Sequence, residues 1–98
     1  MSKRVAWDQA KAERRDSESR RRGYRHAQES LALGIRVRTE RERRGITQSQ
    51  LAERMGTSQP SVARLEAGGV TPSLDTLHRV ADALRLELVV DFRDQASA

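Results

Sequence analysis

Apolar positions recur at helical spacing in four stretches of this chain, and alternate only once, near its end. From Tyr24 to Arg44 the sequence reads as one helix with two apolar stripes. At roughly 100° per residue, Tyr24, Ala27, Leu31 and Ile35 share one side, while Leu33 and Val37 fall nearly opposite. Next comes Thr47-Gln48-Ser49-Gln50, with a hydroxyl three residues ahead of an amide. The Thr47 oxygen can accept the Gln50 backbone N–H while the Gln50 side chain reaches back to the Thr47 N–H. Leu51, Ala52 and Met55 carry that helix to Gly56, placed for a left-handed stop. Ser58 can cap a further helix with Pro60 in its first turn, where no intrahelical N–H is needed. Val62, Ala63, Leu65 and Glu66 continue it to Gly68. After the Thr71-Pro72 turn, Ser73 caps a helix whose buried face is Leu74, Leu77, Val80, Ala81 and Leu84. Asp75 and Arg85 suit the two ends of its dipole. Finally Leu86, Leu88 and Val90 alternate with Glu87, Val89 and Asp91, which predicts a short strand over 86–92. With no second strand in the chain, its edge partner would be another copy or another protein.

Composition narrows the picture. At 98 residues the chain has room for one small domain with flanking sequence, and hydrophobic residues at 36% with aromatics at 3% leave it a small aliphatic core. Residues 1–22 are dense in charge and poor in apolar side chains, so they predict a flexible arm in isolation. Trp7 stands out there as a candidate partner anchor, or as a ring tucked onto the domain's own surface. The domain proper then runs over 23–86, and 87–98 form the strand and tail. Either the arm folds back over the Tyr24, Ala27, Leu31, Ile35 stripe, or a second chain covers it.

Lys and Arg number 19 against 14 acids, a net charge of +5, which favours an anionic partner, nucleic acid first. There is no cysteine, so neither a disulfide nor a thiolate metal site is available. His26 and His78, the latter off the apolar stripe, read as surface residues, so no metal and no cofactor are expected. No apolar run approaches the ~20 residues of a membrane span, and no signal-peptide core follows the N-terminus, so the expectation is a cytoplasmic protein without a membrane partner. No catalytic constellation is visible either, which argues against an enzyme.

Two short helices joined at a tight glycine turn make a helix-turn-helix. The stretch TQSQLAERMGTSQPSVARLEAG, the flanking LGIRVRTERERRG and the following TPSLDTLHRVADALRLELVV together resemble the Cro/C1-type (XRE) helix-turn-helix family, over roughly residues 31–90. The resemblance implies an all-α, lambda-repressor-like domain of four to five helices, here with a short C-terminal β-strand. It assigns Leu33 and Val37 to the core and pairs Arg41 with Glu66, fixing the angle between two helices and leaving guanidinium donors near the DNA backbone. Two positions depart from the family. Glu40 stands where an apolar residue is usual, which puts the core edge in doubt, and Arg85 stands where glycine is usual.

Function then falls to the second helix of the motif. Gln59, Pro60, Ser61 and Arg64 lie on its outer side, while Val62 and Leu65 point inward. Glutamine can bond adenine N6 and N7 together, and arginine guanine O6 and N7, both in the major groove. Pro60 can touch a thymine methyl. By resemblance, Gln48 and Gln59 correspond to glutamines that meet the DNA backbone and a base edge. Thr47, Gln48 and Ser58, with helix N-terminal N–H groups, suit phosphates, and Arg41 joins them. The expected partner is a palindromic double-stranded operator bound by a homodimer, with Leu86, Leu88 and Val90 as the dimer contact. One motif, a charged arm with a tryptophan and a terminal strand also look like the HigA-type antitoxins. These bind a RelE/HigB-like toxin and repress their own operon, and Trp7, Tyr24, Ala27, Leu31 and Ile35 would then hold the toxin. A free-standing XRE regulator and a protein–protein adaptor are the alternatives; intact Gln48, Gln59 and Arg64 argue against the adaptor.

Overall fold

In the computed structural model the described residues are 3–96, with side chains from Ala6 onward. Four helices follow one another: α1 (Lys3–Arg43), α2 (Gln48–Met55), α3 (Gln59–Glu66) and α4 (Leu74–Leu84). The start signals act as expected. Thr47 and Gln50 form the reciprocal capping box of α2, at 3.1 and 2.8 Å. Ser58 accepts the Ser61 N–H at the head of α3, and Ser73 accepts that of Thr76 at the head of α4. Each such cap contributes about 1 kcal/mol.

All four helices stop in the same way. The residue after the last turn takes a left-handed conformation at Gly45, Gly56, Gly68 and Arg85. In each case two successive N–H groups close back onto the final turn, as where Leu86 reaches Ala81 O at 2.7 Å and Arg85 reaches Asp82 O at 3.3 Å. Arg85 (φ 55°) therefore adopts what glycine would adopt freely. Here the departure from the family pattern leaves the helix end unchanged.

The core is Val37, Leu51, Ala52, Met55, Val62, Leu65, Val80 and Leu84, with Leu33, Ile46, Ala83 and Leu86 packed around it. Leu51, Val62 and Leu84 are sealed completely, each contributing about 1.5–3 kcal/mol through burial. α2 packs on α3 and α4, while α1 lies across α3 and touches α4. The face of α1 that does this is Ser30, Gly34, Val37 and Glu40, all buried, with Leu33 and Arg41 beside them. Gly34 is the point of closest approach. A Cβ placed there would sit 2.5 Å from the Glu66 carbonyl oxygen and 2.6 Å from that of Leu65.

Three expectations can be set against the structure. Residues 3–22, expected as a flexible arm, are the first half of α1, which runs unbroken for 41 residues, ~60 Å at 1.5 Å per residue. No side chain from Ala6 to Glu29 is buried, so tertiary packing does not hold this half. Secondly, among the described residues there is no strand, and 86–96 are irregular. Leu86 turns onto the core and Leu88 is half-buried beside it, whereas Val90 is exposed. The period-2 pattern has no edge to pair with among the described residues, and an isolated strand has no hydrogen bonds of its own.

Thirdly, Glu40 leaves the core edge intact. Its buried carboxylate is ringed by Arg44 at 2.6 Å, Arg36 at 3.1 Å and Arg43 at 3.3 Å. The hydrogen bond from Arg44, helped by the charges of Arg43 and Arg36, holds its carboxyl below the usual carboxylate range despite the cost of burial.

Candidate nucleic-acid interface

The second helix of the motif divides cleanly along its length. Val62 and Leu65 are buried, whereas Gln59, Pro60 and Arg64 are exposed and Ser61 is half-buried. Pro60 lies in the first turn, where its missing N–H costs nothing. The N-termini of α2 and α3 start at Gln48 and Gln59, whose side chains are joined, Gln59 Nε2 donating to Gln48 Oε1 at 2.8 Å. Thr47 and Ser58, the two cap residues, flank that pair in sequence and are exposed. Polar groups suited to phosphates and to base edges therefore meet at one junction, with free helix N–H groups behind them.

The Arg41–Glu66 pair is present and bidentate. Arg41 Nε donates to Glu66 Oε2 at 2.7 Å and Nη2 to Oε1 at 2.9 Å, while Nη1 donates to the Ile46 carbonyl at 2.8 Å. The hydrogen bond with Glu66 raises the guanidinium's already high proton affinity, against a smaller cost of burial. Only 11% of the Arg41 side chain is exposed, and three of its donors are committed within the protein. In the single chain it braces α1 against α3 more than it faces outward.

What sequence reasoning did not find is the connection between these groups. Gln48 Nε2 donates to Glu66 Oε1 at 3.2 Å, so Arg41, Glu66, Gln48 and Gln59 form one continuous chain of hydrogen bonds. No local spacing signals it, because the residues come from three helices. Gly34, which lets α1 come close enough for Arg41 to reach Glu66, had a faint signal as a glycine inside a strong helical pattern.

The other predicted site residues lie elsewhere. Tyr24, Ala27, Leu31 and Ile35 do share one exposed face of α1, with Tyr24 69% and Ile35 56% accessible. Trp7 is not beside them. It stands 17 residues earlier, about 25 Å along the helix and roughly 100° round it, with Lys11 Nζ 5.2 Å from its ring centre. Leu86 and Leu88 lie against α1 and α4, near Leu33 and Val80, while Val89, Val90 and Phe92 are open to solvent. Among the described residues no group of acids and histidines could hold a metal ion, and no helix is long and apolar enough to cross a membrane.

Comparison with known proteins bears on this geometry. Residues 37–90 match the family described as Helix-turn-helix. An uncharacterised HTH-type transcriptional regulator of Methanothermobacter thermautotrophicus is 42% identical over 55 residues, which cover 56% of this chain and 80% of that one. The immunity repressor protein of Bacillus phage phi105 is 38% identical over 58 residues, 59% of this chain but only 40% of the phage protein. Among solved structures, the restriction-modification controller protein C.AhdI from Aeromonas hydrophila superposes with a TM-score of 0.61 at 31% identity, covering 63% of this chain and 90% of the controller. The family match takes in α2, α3, α4 and the last turns of α1 from Val37; the rest of α1, including Ser30 and Gly34, lies outside it. With more than half its length matched and one face of α3 left exposed, the chain belongs to the XRE-type helix-turn-helix family of DNA-binding transcriptional regulators.

Proposed function

We propose that the chain is a dimeric repressor that reads a palindromic operator through α3. The observation that carries this reading is the division of α3. Every apolar side chain that can enter the core does so, and Gln59 and Arg64 are left exposed in the first and second turns. The likeness to a phage immunity repressor supports the same reading. Gln59 and Arg64 would contact bases, with Pro60 and Ser61 beside them. Thr47, Gln48 and Ser58 would hold phosphates, and Arg41 would reach them only with the donors Glu66 and Ile46 leave free. Half-sites would be centred about one turn, ~34 Å, apart. Leu88 and Val90, with Val89 and Phe92, supply the apolar surface for a second copy.

The test is fluorescence anisotropy on a duplex selected by the protein from a randomised pool. Gln59→Ala and Arg64→Ala should each cost about 1–3 kcal/mol on the selected duplex, with Gln59→Ala changing affinity for unrelated DNA far less. Affinity should also fall steeply with salt. Equal losses on selected and unrelated duplexes would mean that α3 does not read sequence.

A second reading, the antitoxin, is favoured by the exposed Tyr24, Ala27, Leu31, Ile35 face and by the length of helix running beyond the domain. A RelE/HigB-like toxin seated there would bury a narrow apolar surface and stabilise a half-helix that lacks tertiary support. Coexpression with the neighbouring reading frame, followed by removal of residues 1–22, separates the readings. Under the antitoxin reading, truncation abolishes toxin neutralisation and leaves operator binding intact; if no toxin copurifies with the full chain, the free-standing regulator stands.

A further inference from the structure

Glu66 ends α3 where α1 crosses it, and its side chain is almost sealed, at 3% exposure. Three N–H groups converge on its carboxylate: Arg41 Nε on Oε2, and Arg41 Nη2 and Gln48 Nε2 on Oε1. A carboxylate accepts hydrogen bonds and donates none, whereas an amide side chain offers an acceptor at one corner and donors at the other. Taken alone, a glutamine bonded to another glutamine could be turned over with no loss. Gln48 has no such freedom. It must turn its NH2 toward Glu66, which leaves its Oε1 for Gln59, and Gln59 must then present its own NH2, as it does at 2.8 Å.

Direction is thus passed along two amides from a group that cannot itself be reversed. One Gln59 N–H is taken up by Gln48, and among the described residues its carbonyl oxygen and second N–H have no partner. An acceptor and a donor side by side complement the N6–H2 donor and N7 acceptor of adenine. We infer that Glu66, acting through Gln48, sets the amide orientation of Gln59 and with it the preference for adenine at the base pair Gln59 meets. The inference rests on Gln59 being a base-reading residue, as proposed above. Glu66 touches no DNA and is a positioning residue. Arg41 completes the device, since its Nη1 is tied to the Ile46 carbonyl and so holds the guanidinium on Glu66. A brace between α1 and α3 needs only the two Arg41 bonds. The third, to Gln48, adds nothing to that brace and is the one that carries polarity.

The experiment uses the full chain and the selected duplex with each single-base substitution in turn. The position read by Gln59 is the one at which Gln59→Ala loses discrimination, which for a bidentate pair amounts to about 5- to 150-fold. Glu66→Gln offers both donor and acceptor to Gln48, so both amides can turn over. Adenine should then be preferred by no more than about threefold, while discrimination at the base pair met by Arg64 is kept. Should Glu66→Gln fold poorly, Gln48→Met gives an independent route. It leaves the Arg41–Glu66 pair whole, cuts the relay, and should flatten the same base pair, even though it also lowers affinity for all DNA. Where both variants fold, combining them should flatten that base pair no further than either alone. A purely structural Glu66 would lower discrimination at both base pairs together and leave the adenine preference of Gln48→Met intact; that result overturns the inference. If Gln59→Ala itself changes no base preference, the base-reading proposal falls and this inference falls with it. If Gln59→Ala does so but Glu66→Gln and Gln48→Met do not, the inference falls alone.

Discussion

Gly34→Ala is the most informative single perturbation, because the same substitution at Gly23, in open space on the same helix, serves as its control. The new methyl group at position 34 would lie 2.5 and 2.6 Å from two backbone carbonyl oxygens at the end of α3. An ordinary carbon–oxygen approach is ~3.3 Å, so α1 must retreat by roughly 0.7 Å. Neither oxygen belongs to a flexible side chain that could yield. Overpacking of this kind costs about 1–3 kcal/mol, and alanine's better helix propensity returns only about 1 kcal/mol. The retreat also pulls on the Arg41–Glu66 pair, now at 2.7 and 2.9 Å. Hydrogen bonds to charged groups contribute about 1.5–3 kcal/mol each, so a net loss of about 2–4 kcal/mol is expected. For a domain of this size that lowers Tm by roughly 10–30 °C. At Gly23 nothing lies within 4 Å of the added carbon. Gly23→Ala should therefore increase the far-ultraviolet helical signal, with little effect on the melting of the domain. Thermal denaturation followed by circular dichroism reads both. A Gly34→Ala protein that melts at or above the wild-type temperature would refute the close-approach reasoning.

The positive φ of Arg85 gives a prediction of the other sign. A left-handed non-glycine residue costs about 1–2 kcal/mol, and glycine's extra freedom in the unfolded chain takes part of that back, so Arg85→Gly should gain about 0.5–1 kcal/mol in a denaturant titration. Unchanged stability would show that the turn relieves its own strain. Acid should act through Glu40, whose folded carboxyl is depressed by the Arg44 hydrogen bond and the neighbouring arginines. A depressed value means that the stabilisation is complete above the unfolded value of about 4.3 and is lost as pH falls through the folded one. The wild type should therefore lose stability below that pH more steeply than Glu40→Gln; parallel melting curves across the range would rule out the linkage. Deleting residues 88–98 should weaken dimerisation in sedimentation and lower operator affinity with it, and an unchanged dimer would assign the tail another role.

How much of this was legible in the residues depended on distance along the chain. Caps, stops and apolar spacing are local, because a hydroxyl and an N–H three residues apart meet as soon as one helical turn forms. Thr47, Gln50, Ser58 and Ser73 therefore marked three helices correctly, and Val62 and Leu65 divided α3 into its two faces. The tail misled for a related reason. Alternation in Leu86, Leu88 and Val90 is a real pattern, but a strand exists only against an edge, and none lies among the described residues. In residues 3–22 low apolar content argues against burial but says nothing against helix. Lys, Arg, Glu and Ala are good helix formers, so the segment is helical while burying nothing. By itself the sequence determined where α2, α3 and α4 begin and end and which side chains of α3 remain outside. Only the tertiary structure decided that Glu40 could be buried among three arginines, that Gly34 had to be glycine, and that Arg41, Glu66, Gln48 and Gln59 form one hydrogen-bonded chain. The arginines around Glu40 lie at helical spacing, and only the packing that buries it is tertiary. The other outcomes require groups far apart in the chain to meet, 25 residues apart for Arg41 and Glu66 and more for Gly34 and Glu66, and no periodicity encodes that.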